Sequence, residues 1–277
     1  MLIRRLLSVA IALVSAGVGG PLLWAGGGGV LRGFLRLQID PSSIGLAVLG
    51  ILLLLLSIAS VALSGLGAGI TAIVHAVFGV IGLFAPTLAY SLGLGLGGSN
   101  PLSYGFPLFV GAGFSLLFAA VYGAAALASH GRSVGRGPSR AALGNALGIP
   151  LTVASALLAV TFGARVYEAT AVRLYVDLIA TVFFVVFVIA FGFAAALAIR
   201  WSIWGGVVSG ALIAVVGAVA AVPQVGFRLP PSFGLQLIGP SMFLLALGLL
   251  VLVAGVAVRV RRPAIATIEA PPAVASM

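Results

Sequence analysis

The sequence predicts an all-α fold, a polytopic transmembrane helical bundle of about eight spanning helices. Three observations predict it. First, 62% of the 277 residues are hydrophobic and only 6% charged, with a mean hydropathy of +1.32, against roughly 25% charged residues in a soluble globular domain. Second, apolar stretches recur along the whole chain, each with the roughly 18 residues that a helix needs to cross a hydrocarbon core while satisfying its own backbone hydrogen bonds. Third, the 14 basic residues, all arginine, fall almost entirely between those stretches. There they act as topology signals rather than as the nucleic-acid patch that a net charge of +10 would suggest in a soluble protein.

Taken in order, the spans are expected at about 6 to 26, 44 to 63, 67 to 90, 106 to 128, 141 to 163, 176 to 199, 203 to 222 and 239 to 258. The first opens like a signal peptide, with Arg4 and Arg5 before an apolar run and a small-residue site at Val14, Ser15 and Ala16. The apolar run continues through Leu23 and Trp24, so it is read as an uncleaved first helix. The single transmembrane domain is taken as 1–262. The tail, 263–277, with Pro271 and Pro272, has too little apolar periodicity to pack and is expected to be disordered in the cytoplasm.

With the N-terminus inside, nine arginines (Arg4, Arg5, Arg132, Arg136, Arg140, Arg200, Arg259, Arg261, Arg262) face the cytoplasm. Five (Arg32, Arg36, Arg165, Arg173, Arg228) face out. Arg132, Arg136 and Arg140 make the middle inner loop the strongest orienting element, and both termini are expected in the cytoplasm of a plasma-membrane protein. Three of the four carboxylates, Asp40, Glu168 and Asp177, then fall outside, and Trp201 and Trp204 anchor the inner interface beside Arg200.

The outer loops share a pattern, Pro-x-Ser-apolar-Gly-apolar. It occurs at Pro41 to Leu46, Pro101 to Phe106 and Pro230 to Leu235. Regular spacing would put a fourth copy near Arg165, where a charged loop stands instead. The recurrence reads either as a helical hairpin repeated to four copies, one diverged, or as shared helix-start grammar, since Ser caps helices and Pro precedes them.

His75 is the one ionisable side chain expected deep in the membrane, near the midplane of the third span. Ala68, Thr71, Ala72, His75, Gly79, Gly82 and Pro86 follow helical spacing, so His75 points at other helices rather than at lipid. It is either a solute or proton contact or a neutral imidazole hydrogen-bonded to a neighbouring hydroxyl.

Similar small-residue stripes run along the first span (Ser8, Ala12, Ser15, Gly19), the fifth (Ala141, Asn145, Gly148, Thr152, Ser155, Ala159) and the seventh (Gly206, Gly210, Ala214, Gly217, Ala221, Gln224). The sixth and eighth spans are bulkier. The expectation is therefore odd-numbered spans inside and the sixth and eighth facing lipid. Pro86, Pro107 and Pro150 are candidate marks of broken helices.

Several chemistries are excluded. With no cysteine and no lysine there is no thiolate catalysis, disulfide, Schiff base or P-loop lysine. The two histidines, His75 and His130, are far apart in sequence with no carboxylate beside either, so no metal site and no cofactor are expected. The stretch Gly93 to Gly98 lacks the spacing of a dinucleotide fingerprint.

The favoured reading is a non-enzymatic small-solute permease or channel-like protein. Its solute-contact candidates are His75, Asn145 and Gln224. The alternative is a structural or assembly component of a membrane complex. The partners expected are the lipid bilayer and other membrane subunits or further copies of the chain, not nucleic acid.

Overall fold

The computed structural model describes residues 2–36, 38, 40–88, 91–92, 102–130, 138–172, 175–222, 225 and 241–261. Arg132, Arg136, the copy of the loop pattern at Pro230 to Leu235, the Gly93 to Gly98 stretch and the 263–277 tail lie outside them, as does the side chain of Arg140.

Helix α1 (Leu2–Leu35) runs well past the expected end of the first span, straight through Gly26, Gly27, Gly28 and Gly29. Four consecutive glycines would weaken a solvated helix. Here they are buried, and a Cβ on Gly26 would come within 2.6 Å of the Ala47 Cα. The glycines therefore buy close packing rather than a helix end.

Helix α2 (Pro41–Ala59) starts where Asp40 caps it, its carboxylate accepting from the Ser42 amide at 3.0 Å with Pro41 in the first turn. A 3₁₀ turn (Ser60–Ala62) extends it. Helix α3 (Gly65–Phe84) is capped by the Ser64 hydroxyl and stops at Ala85, several residues before the expected 90. The residue ahead of a proline is disfavoured in the α region, and Pro86 follows.

The expected fourth span is two helices, α4 (Leu102–Gly111) and α5 (Phe114–His130), bent by 64° between Gly111 and Phe114. Pro107 sits inside α4 without breaking it; the break falls at Gly113, whose φ of +78° only glycine adopts without strain. Helix α6 (Pro138–Leu143) leads through a π turn (Gly144–Gly148) into α7 (Ile149–Tyr167). The widened turn immediately precedes Pro150, whose ring would collide with the carbonyl four residues back in a regular helix. A second π turn (Glu168–Val172) follows.

Helix α8 (Leu178–Trp201) is capped by Asp177, which accepts from the Ala180 amide at 2.9 Å. Helix α9 (Ile203–Ala221) is capped by Ser202, and α10 (Phe243–Arg261) closes the bundle. Among the described residues seven helices are long and apolar enough to span a bilayer, and the bent α4–α5 pair makes eight if counted as one span.

The closest pairings are α1 with α2, α3 with α5, α7 with α8, and α9 with α10, four successive helix pairs along the chain. The small-residue stripes make these approaches. Gly50 meets the Leu23 backbone and Gly19 meets Leu53, while Gly210 and Gly248 face each other across α9 and α10. Polar ties are few: the Ser8 hydroxyl donates to the carbonyls of Ser60 and Ser64, at 3.1 and 2.7 Å, and that of Ser57 to Ala12 at 3.0 Å.

The expected ranking of depth is corrected. Helix α10, the eighth span, is the most buried of the seven single-helix spans, with Phe243, Leu244, Leu247, Leu250 and Val251 inside against α2, α5 and α9. Helix α5 is likewise central, packed by α3, α8 and α10. Helices α1 and α3 lie at the periphery, each with an exposed face. Lipid tails are as apolar as leucine, so bulk cannot tell a core helix from a lipid-facing one, and a small-residue stripe marks a close neighbour rather than depth. The sixth span, α8, faces lipid as expected, no more buried than α1 and α3: Phe183 and Phe193 face out, while Phe184 and Phe191 form its packed side.

Two glycine-to-alanine substitutions should separate sharply. Gly113→Ala forces a left-handed backbone and drives its Cβ into the Phe184 ring, so it should cost at least about 1–2 kcal/mol. Gly45→Ala, with open space around it on α2, should be neutral or gain up to about 1 kcal/mol. Denaturant titration in mixed micelles measures both.

Hydrogen bonds from Ser42 and Ser43 hold the exposed Asp40 carboxyl below its usual range. A depressed folded-state pKa contributes stability above the ordinary carboxylate range, lost as pH falls through the folded value. Wild type should therefore lose more stability than Asp40→Asn on acidification from pH 6 to pH 3, as the same titration would show.

Candidate functional site

Three glycines fix where the peripheral helices meet. Gly105 lies against the Trp24 backbone, close enough that a Cβ would sit 3.1 Å from the Trp24 Cα, which docks α4 on α1. Gly79 and Gly82 meet the backbones of Leu116 and Val110, which draws α3 onto both sides of the α4–α5 break. Trp24 and Phe106 are thereby set edge-to-face, ring centres 4.9 Å apart, with Phe78 at 6.3 Å from Trp24 and 6.0 Å from Phe106.

Between these helices lies a cavity of about 510 Å³, within the size range of small-molecule sites. Its floor is Thr71, His75, Trp24 and Phe106; Phe78 stands at the side, and Leu13, Ala16, Gly17, Pro21, Val74 and Leu92 complete it.

His75 is 5% exposed, on the buried face expected for it. Neither of the hydroxyls packed nearby bonds to its ring. Ser115 donates to the His75 backbone carbonyl at 2.7 Å, and Tyr122 donates to Leu54 at 3.2 Å. The imidazole instead stacks on Tyr122 at 5.7 Å and meets Phe118 and Phe109 edgewise at 5.7 and 6.2 Å, and its Nδ1 has no hydrogen-bond partner. Among the described residues, then, no hydroxyl pairs with Nδ1.

Thr71 shows the same anomaly more sharply. Thr152, Thr161, Thr170 and Thr181 each donate to the carbonyl four residues earlier, at 2.6 to 2.8 Å, the ordinary way for a helical threonine to satisfy itself in lipid. Thr71, 1% exposed, makes no such bond. Trp24, 7% exposed, leaves its indole N–H unpaired as well.

Among the described residues four buried side-chain polar atoms lack partners. Three of the four belong to the wall of this one cavity; the fourth, the Ser60 hydroxyl, sits in the turn after α2. Buried polar groups are paired as a rule, so a cluster of exceptions around a void asks what would complete it.

The other sequence candidates do not join His75. Asn145 lies in the π turn before α7, where its carbonyl oxygen accepts from the Ser202 hydroxyl that caps α9. Gln224 lies outside the described residues. Sequence reading passed over Trp24, Thr71 as more than a stripe member, and the Phe78 and Phe106 walls. No local signal marked Trp24: it stands two residues before the end of the expected first span, 6 to 26, where it reads as one more interfacial tryptophan like Trp201 and Trp204.

Because the buried Thr71 hydroxyl is unpaired, Thr71→Val should raise stability by about 1 kcal/mol. Thr152→Val, which removes a satisfied hydroxyl, should bring no gain; unfolding in mixed micelles compares the two. No family model matches the chain, and neither the curated proteins nor the solved structures include one similar to it.

Proposed function

We propose that this multi-pass membrane protein is a carrier for a small solute, which it seats in the α1–α3–α4 cavity against His75, Thr71 and Trp24. The observation that carries this reading is the coincidence of a ligand-sized void with three of the four unpaired buried polar groups. A cavity built only by packing would be dry, apolar and free of such groups. A bound solute would supply the missing partners, and each recovered bond to a buried group is worth about 1 kcal/mol or more.

On its inner side the cavity is walled by His75, which is backed by the rings of Phe109, Phe118 and Tyr122. That arrangement suits a binding site that opens by helix movement better than a standing pore. The α4–α5 break, hinged at Gly113, abuts this wall through Phe109 and Phe114, 6.3 Å apart, and broken helices at solute sites are a recurring feature of carriers. The role is binding and passage, without catalysis. The arginine distribution supports an orientation with both termini in the cytoplasm. The competing reading, an assembly component, requires no solute.

The distinction can be measured by comparing small-molecule levels inside and outside cells that express wild type, His75→Ala or an empty vector. At least one compound should shift its inside-to-outside ratio with wild type, and His75→Ala should reduce that shift about tenfold, equivalent to about 1.4 kcal/mol. Identical profiles for all three refute the carrier reading.

A further inference from the structure

The cavity also has a direction. Leu13, Gly17, Val74 and Leu92 on its rim are exposed. Gly17 is the sixteenth of 34 residues in α1 and Val74 the tenth of 20 in α3, so the mouth opens near mid-span on the lipid side of the bundle. A Cβ built on Gly17 meets nothing within 4 Å, which leaves the gap between the two helices clear at that point.

The chemistry of the wall narrows what can sit inside. Among the described residues it contributes no carboxylate and no guanidinium, so an ionic group would be buried there without a counter-charge, at a cost no single neutral hydrogen bond offsets. A pure hydrocarbon would leave three polar groups as unpaired as before. The indole N–H of Trp24 can only donate, so the occupant's polar atom must accept, while the Thr71 hydroxyl can serve either way. Trp24, Phe78 and Phe106 meet one another edge-on and form apolar walls suited to a flat body.

We propose that the cavity binds an uncharged amphiphile, a compact and largely apolar ring body bearing one neutral oxygen group, hydroxyl or carbonyl, that reaches the site sideways from the bilayer between α1 and α3. The proposal rests on the carrier reading above and names its substrate class. The oxygen group lies toward Trp24, Thr71 and His75, and the ring body fills the space toward Gly17.

The test uses the full chain in phosphatidylcholine nanodiscs at pH 7, with binding to matched empty nanodiscs subtracted. Three tritiated probes share one ring body: 2-naphthol, naphthalene and 2-naphthoate. Saturable binding of 2-naphthol at one site per chain is expected, with naphthalene and 2-naphthoate at least tenfold weaker. Gly17→Phe, which plugs the lipid-side mouth where nothing stands in its way, should abolish it, and Gly17→Ala should retain it. Thr71→Val should weaken 2-naphthol about fivefold and leave naphthalene unchanged.

Equal affinity for naphthalene would overturn the proposal by making the cavity a slot for lipid chains. Equal or tighter binding of 2-naphthoate would overturn the substrate class while leaving the carrier reading intact. Binding untouched by Gly17→Phe would overturn the lateral route, and no saturable binding of any probe would overturn the site's proposed chemistry. The carrier reading fails separately, on inside-to-outside ratios that are identical for wild type, His75→Ala and empty vector.

Discussion

In hydrocarbon, apolar side chains gain little by leaving lipid for protein, so helices adhere through close backbone approach and dense packing rather than through the hydrophobic effect. This chain meets that constraint with glycine. Gly19 and Gly50 set α1 against α2, Gly210 and Gly248 set α9 against α10, and Gly105, Gly79 and Gly82 set α4 and α3 around the break in the fourth span. Nearly everything else follows from where those approaches fall. Hydrogen bonds between helices are few, and several of them, such as Ser8 to the turn after α2, secure ends that glycine contacts have already positioned.

The cavity follows from the same constraint. Helices α1 and α3 both contact α4, and the cavity lies between them beside Gly17 and Val74, where a Cβ built on Gly17 meets nothing within 4 Å. Aromatic rings close the inner side, running from Trp24 and Phe106 through Phe109 to Phe118 and Phe243. Rings of this size hold a wall rigid at little conformational cost. His75 stacks into that wall, while Thr71 and Trp24 stand with polar atoms that the fold does not satisfy. The rest of the bundle is locally consistent: Asp40, Ser64, Asp177 and Ser202 cap their helices, and the other threonines named above bond to their own backbone. Three of the four unpaired buried groups among the described residues fall in this one place, and such a concentration is the usual mark of a site.

Much of the fold was legible because the bilayer leaves a chain so few options. Length and apolarity set the spans, and the stripes at Ser8, Ala12, Ser15 and Gly19 and at Thr71, His75 and Gly79 correctly gave the packed faces of α1 and α3. Depth was not legible. Leucine-rich α10 proved central and glycine-striped α1 peripheral, since neither bulk nor smallness distinguishes protein from lipid as a neighbour. The break at Gly113 was also hidden among 39 glycines, while the more conspicuous Pro107 lies in continuous helix.

The sequence by itself determined the membrane environment, the approximate spans and the placement of His75 on a buried face, because each depends on composition or on a periodicity of a few residues. Only the tertiary structure decided which helices are inner, that Asn145 pairs with Ser202 rather than with His75, and that Trp24 joins Thr71 and His75. Trp24 and Thr71 are separated by about two spans of chain. No local pattern encodes that meeting, which arises from the approach of three helices at glycines whose partners lie on other helices.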